Sequence, residues 1–157
     1  MRKMTIVLLL LIFTLGQSAS AQVDNTAIIT FLHRYFNLIS LGQYASAYNT
    51  LQTEQTFYDY VAGFENTDSL QPYFGTVQSD GNDLRVPMTL VSFQHDNSIQ
   101  TFFGCIFLRA EASGYSIIGN NFRDMGFTSQ ISIFSVGTAL DNLNCYGQAS
   151  LFPNEAT

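Results

Sequence analysis

The chain is 157 residues long, with fourteen Phe, eight Tyr and no Trp, and only 11% of its residues are charged. Twelve acidic residues stand against six basic ones, for a formal net charge of −6, which argues against a binder of nucleic acid or anionic lipid. That length builds one ordinary domain with a real core, so the aromatic rings must be buried in it or line something.

The N-terminus reads in three parts: positive Arg2 and Lys3, an apolar run from Thr5 to Leu15, and a polar stretch ending in Ala19-Ser20-Ala21. Small residues at these last positions suit signal peptidase, so residues 1–21 are predicted to be a secretory signal peptide cleaved before Gln22. The protein is therefore expected to be exported, to the periplasm or the extracellular medium. Eleven apolar residues fall short of the about 20 that a membrane span needs, so no stable membrane insertion is expected after cleavage. No Cys follows the run, which argues against a lipoprotein. Cleavage removes the only lysine and leaves Arg34, Arg85, Arg109 and Arg123 against twelve acidic residues, a mature charge of −8.

Residues 24–41 carry a helical pattern. Ile28, Leu32, Tyr35 and Ile39 recur at helical spacing, widened by Ile29, Phe31, Phe36 and Leu38, opposite a polar stripe of Thr30, His33, Asn37 and Ser40. Asp24 or Asn25 can cap the start, and Gly42 sits where a glycine ends a helix. A short second helix is predicted over 43–51, with Tyr44, Tyr48 and Leu51 on one side. A third is predicted over 54–62, with Phe57, Val61 and Phe64 inward, until Gly63 breaks it.

After Asn66 the period falls to two. A strand is predicted over 70–78, with Pro72 near its start, followed by a turn at 79–83. Leu84, Val86, Met88 and Leu90 alternate with Arg85, Pro87 and Thr89 in the next strand, and His95-Asp96-Asn97 turns again. The strand over 98–110 has two faces, Ile99/Phe103/Cys105/Phe107 and Phe102/Ile106/Leu108. A turn at 111–114 leads to a last strand over 115–122. Such short turns mean an antiparallel meander of four strands. The fold class is thus α+β, with N-terminal helices packed on a strongly curved antiparallel sheet.

The domain is predicted to span residues 22–126, with 127–157 as a C-terminal extension. Ile131, Ile133, Phe134 and Val136 could form a short edge strand there, while 137–157 looks irregular. Cys105 and Cys145 are the two cysteines of a chain read as exported, so they are predicted to form a disulfide that ties the extension to the central strand.

The run Tyr35-Phe36-Asn37-Leu38-Ile39 and then Gly42-Gln43-Tyr44-Ala45-Ser46-Ala47-Tyr48-Asn49-Thr50-Leu51 resembles the helical opening of the nuclear transport factor 2-like superfamily. Phe103 to Arg109, followed by Gly114-Tyr115-Ser116-Ile117, looks like the paired long strands of its exported bacterial members. The resemblance spans about residues 25 to 124 and implies a cone: a bent sheet wrapped on the first helix, with a pocket at the wide end. Superfamily pockets host proton transfer, cyclisation, dehydration and plain binding, so the implied fold leaves function open.

An isomerase-type site needs a carboxylate base facing an oxyanion-stabilising donor across an apolar pocket. Asp59, Asp68, Asp96 and Glu111 are the acids on offer, and helix surface or turn is the simpler reading of each. Tyr35 and Tyr48 are the best donors, yet tyrosines at helical spacing are usually core residues. His33 falls on the polar stripe, and a His–Asp dyad would need that helix rotated. His95 and Asp96, as strand neighbours, point apart. Three convergent metal ligands are absent from the pattern, and no cofactor motif is present.

The residues thus favour a non-catalytic exported domain over an enzyme. It would bind a small apolar molecule or a protein through a pocket formed by Tyr35, Tyr48, Phe57, Phe64, Phe103 and Tyr115. The alternatives are a pocket enzyme of the ketosteroid-isomerase or polyketide-cyclase type and a homodimer. The homodimer would pair through the sheet face that carries Arg85, Thr89, Val91 and Phe93.

Overall fold

The computed structural model describes residues 24–81, 83–127 and 145. The predicted signal peptide at 1–21 and the predicted edge strand at 131–136 lie outside the described residues. So does the extension, apart from Phe127 and Cys145. Among the described residues no helix is long and apolar enough to cross a membrane.

Helix α1 spans Asn25–Ser40. Asp24 caps it by accepting from the amides of Thr26 and Ala27, satisfying two donors that the first turn leaves open. At the other end the Gly42 amide donates to the Ile39 carbonyl and the Gln43 amide to that of Leu38. This paired closure needs Gly42 at φ +69°, a conformation a Cβ would strain.

Helices α2 (Tyr44–Tyr48) and α3 (Phe57–Ala62) are shorter than the periodicity implied. α3 starts three residues later than expected because Thr56 caps it. The Thr56 hydroxyl accepts from the Asp59 amide and donates to the Asp59 carboxylate at 2.7 Å. That start turns Tyr60 into the core and leaves Phe57 45% exposed, which corrects its expected inward position.

Among the described residues six antiparallel strands follow, rather than four: β1 (Thr67–Phe74), β2 (Gln78–Asp80), β3 (Asp83–Gln94), β4 (Ile99–Glu111), β5 (Gly114–Asn120) and β6 (Arg123–Phe127). The long strands β3 and β4 pair along their length, β1 and β2 both pair with the outer edge of β3, and β5 and β6 both pair with that of β4.

Both edges break at the same level, and the residues there explain why. Pro87 lies in β3 opposite Cys105, and its carbonyl accepts from Gly75 at 2.7 Å, so its missing N–H faces the β1/β2 edge. A ladder cannot continue past a residue without a donor, and the edge strand is interrupted between Phe74 and Gln78. Pro72, expected near a strand start, sits within β1 and is tolerated because β1 is an edge strand.

On the other side the chain crosses at Asn121, whose side-chain oxygen accepts from the Cys105 amide at 2.7 Å. A Cβ on Gly104 would stand 2.8 Å from the Asn121 carbonyl oxygen and 2.9 Å from the Phe122 Cα. Gly104 is therefore required by this close approach.

The curled sheet packs its concave face on α1. Ile28, Leu32, Phe36 and Ile39 meet Leu84, Val86, Met88 and Leu108. Burying each such side chain contributes roughly 1.5–3 kcal/mol. The outer edge of β5 is covered by residues 50–52, which bracket Ile117 with two backbone hydrogen bonds. The architecture is an α+β cone, consistent with a nuclear transport factor 2-like fold.

Candidate functional site

Beyond the break line the sheet and α1 do not meet fully, and a cavity of about 510 Å³ opens between them. This lies within the range of about 300–1,000 Å³ typical of small-molecule sites. Tyr35 and Phe36 of α1 line it on one side, with Leu90 of β3 and Phe102 and Ile106 of β4 on the other. Tyr60 and Phe64 of the α3 region and Phe122 after β5 add further rings.

Those rings are held by their neighbours. Tyr60 packs edge-on against Phe64 at 5.2 Å and tilted against Tyr48 at 5.4 Å, while Phe64 stacks on Tyr44 at 6.1 Å. The short helices thus form a rigid aromatic wall, and ring pairs in these orientations add to the stability that burial supplies.

Two sets of polar groups face this apolar space. The Tyr60 hydroxyl donates to the Tyr35 hydroxyl at 3.3 Å. Burial pushes the Tyr35 phenol well above its ordinary value, reinforced by its proximity to Tyr60. Burial likewise pushes Tyr60 up to about 12, partly offset by its hydrogen bond to Tyr35 and raised further by nearby Tyr44. Both are neutral hydroxyls at physiological pH. The second set lies on β1 and β3: the Gln94 amide donates to the Ser92 hydroxyl at 2.6 Å, and Thr67 and Ser92 hydroxyls meet at 3.3 Å. Asn66, Gln100 and Asn120, with Thr53 and Gln55, add further polar groups to the lining.

Of the residues expected at a pocket, Tyr35 and Phe64 line this cavity and four others lie off it. Tyr48 stands behind Tyr60 and donates its hydroxyl to the Gln55 carbonyl at 2.5 Å. Phe57 is on the outer side of α3, packed edge-on against Tyr48. Tyr115 packs on Phe31 at 5.8 Å. Phe103 belongs to the convex face of β4, because its neighbour Phe102 takes the concave one. Phe102, Tyr60 and Phe122 are cavity residues that sequence reasoning did not single out. For Phe102 the signal was present, since it alternates with the core residues Ile106 and Leu108.

The candidate acids stand clear of the interior. Asp59 is exposed and engaged with Thr56, and Asp68 pairs with His95 at 3.1 Å, both half-exposed or more. Glu111 is exposed and accepts from Ser116 and Gln52. Glu65 is the carboxylate that reaches the lining, and it is exposed. His33 is exposed and meets the Phe74 ring edge-on. Among the described residues no three His, Cys, Asp or Glu side chains converge as a metal site would require.

The convex face is organised differently. Cys105 and Cys145 are joined by a disulfide, and both are buried with Phe107 and Ile118. Cys145 is held further by Arg85, which donates to its carbonyl at 3.1 Å, and by its own amide donating to Gln78 at 3.0 Å. Thr89 and Val91, expected on a dimer-forming face, are 3% and 4% exposed within the single chain. The disulfide and the lack of a membrane-length helix among the described residues are compatible with export.

No family model and no curated protein matches the chain. Among solved structures, one from Novosphingobium aromaticivorans, described as a candidate aromatic ring hydroxylase, is similar with a TM-score of 0.51. The match covers 67% of this chain and 93% of that one at 13% identity. At that identity the likeness is one of fold, and it supports the cone architecture.

Proposed function

We propose that the protein is an exported, non-catalytic domain that binds a small apolar molecule inside the cone. The observation that carries this reading is the cavity itself: it is walled by aromatic and aliphatic side chains, with hydroxyl groups placed to orient a guest. A ring-sized compound suits such walls, in keeping with the description of the structurally similar protein. Export is supported by the disulfide and by the signal-peptide pattern of residues 1–21.

The enzyme alternative needs a carboxylate or imidazole facing the guest. Glu65, the carboxylate in the lining, is exposed, Asp59 points its carboxylate at its own helix start, and neither histidine lines the cavity. Tyr35 and Tyr60 hold their protons far above neutral pH, so neither serves as a base there. Self-association through the convex face is disfavoured by the burial of Thr89 and Val91 within one chain.

N-phenyl-1-naphthylamine, an uncharged dye whose emission rises in apolar surroundings, tests the proposal by fluorescence titration. The protein is expected to bind it with a saturable one-to-one signal. Leu70→Trp, which fills the cavity from β1, should weaken binding about tenfold or more, while Tyr58→Ala on the exposed side of α3 should leave it unchanged. Binding that ignores Leu70→Trp would overturn the assignment to this cavity.

A further inference from the structure

The cavity's charge, or lack of it, bears directly on what it can hold. Among the described residues, and apart from its two tyrosines, Glu65 is the ionisable residue in the lining, and it is exposed. The remaining polar side chains of the lining are all hydroxyls and carboxamides, of which Ser92 and Gln94 are buried, Asn66 is exposed and the others are half-buried. None of Arg34, Arg85, Arg109 or Arg123 lines the space, nor does His33 or His95. Burial keeps both phenols protonated, so they present neutral dipoles.

We infer that the site selects uncharged ring compounds, such as those bearing hydroxyl, ketone or ester oxygens, and rejects carboxylates and sulfonates of the same shape. This rests on the pocket-binding reading above. Hydroxyl and carboxamide N–H groups replace the few hydrogen bonds that a neutral oxygen loses on leaving water. They do not replace the hydration of an anion, which here meets no cation to offset its desolvation. The acidic mature chain, four arginines against twelve carboxylates, repels an approaching anion as well. An ammonium compound fares little better, because Glu65 is a water-screened partner at the opening.

The test compares ligands of one shape and different charge. 8-Anilino-1-naphthalenesulfonate is N-phenyl-1-naphthylamine with one sulfonate added, and both dyes report by fluorescence. The sulfonate is expected to bind at least ~30-fold more weakly at pH 7. In displacement of the neutral dye, methyl 2-naphthoate should likewise exceed 2-naphthoate, and 1-naphthylmethylammonium should compete less well than the ester. Asn66→Arg places a cation at an exposed lining position, where misfolding is not at issue. It should tighten sulfonate binding about threefold, the modest gain that a water-screened charge supplies, and leave the neutral dye unchanged. Anionic or ammonium ligands that equal the neutral ones, or a sulfonate affinity indifferent to Asn66→Arg, overturn the inference while the pocket reading stands. Failure of every compound to bind overturns both.

Discussion

The two faces of β4 are built from one continuous strand and do opposite work. Residues 102, 106 and 108 turn toward α1 and the cavity, while Cys105 and Phe107 turn to the convex side, where Cys145 is fastened. The concave face leaves space unfilled at the open end, yet the convex face is closed by a covalent bond and two hydrogen bonds at a single residue. Binding capacity and tethering are thus separated by one residue of register. A change on the convex face should cost stability and spare binding, and a change in the cavity should do the reverse.

The largest expected effect comes from the convex side. Replacing both Cys105 and Cys145 by Ser opens a loop of 40 residues and should lower unfolding stability by about 4 kcal/mol on the chain-entropy estimate. Urea denaturation measures the loss. The dye affinity of the folded variant should stay within about twofold. An equal loss of binding would mean that the two faces are coupled.

Gly104→Ala strikes the boundary between the faces. Its Cβ would meet backbone atoms at 2.8 and 2.9 Å, which only a shift of the 121–122 crossing relieves. We expect a loss of about 2 kcal/mol in the same assay and, unlike the disulfide variant, weaker dye binding, because Asn120 and Phe122 line the cavity.

Tyr35→Phe removes the hydroxyl pair from the concave side and should cost about 1 kcal/mol at neutral pH. The alkaline limb is the sharper readout. Folded-state phenol values are raised above the ordinary 10, to about 12 for Tyr60, so their stabilising contribution is complete below pH 10. It is lost as pH rises from 10 through 12, because the unfolded chain releases these protons first. Stability measured across that window should fall less steeply in Tyr35→Phe than in the parent. Parallel slopes would show that Tyr35 is not buried as described.

The smallest effect belongs to neither face. Asp24→Ala removes the α1 cap and should cost roughly 0.5–1 kcal/mol, with no change in dye binding.

Much of the element order was legible from periodicity. α1, its Asp24 cap and its Gly42 stop are local signals, and β3 and β4 announce themselves by alternation over twelve and thirteen residues. The edge strands were harder, because their breaks are dictated by residues on other strands. Pro87 interrupts its neighbour, and Gly104 admits the crossing that separates β5 from β6. The cavity was only partly legible for a related reason. Tyr35 and Phe64 follow from helix phase, but the choice between Phe102 and Phe103 depends on which side of β4 meets α1. The register of α3 depended on Thr56, whose capping role only the Asp59 pairing three residues later could reveal.

The most direct test of the central claim is an isotope-filtered nuclear Overhauser measurement on methyl-labelled protein saturated with N-phenyl-1-naphthylamine. Contacts from the dye to Leu90, Ile106 and Ile117, with none to Val91 or Ile118, are the predicted result. Contacts confined to Val91 and Ile118 would place the ligand on the convex face and contradict it.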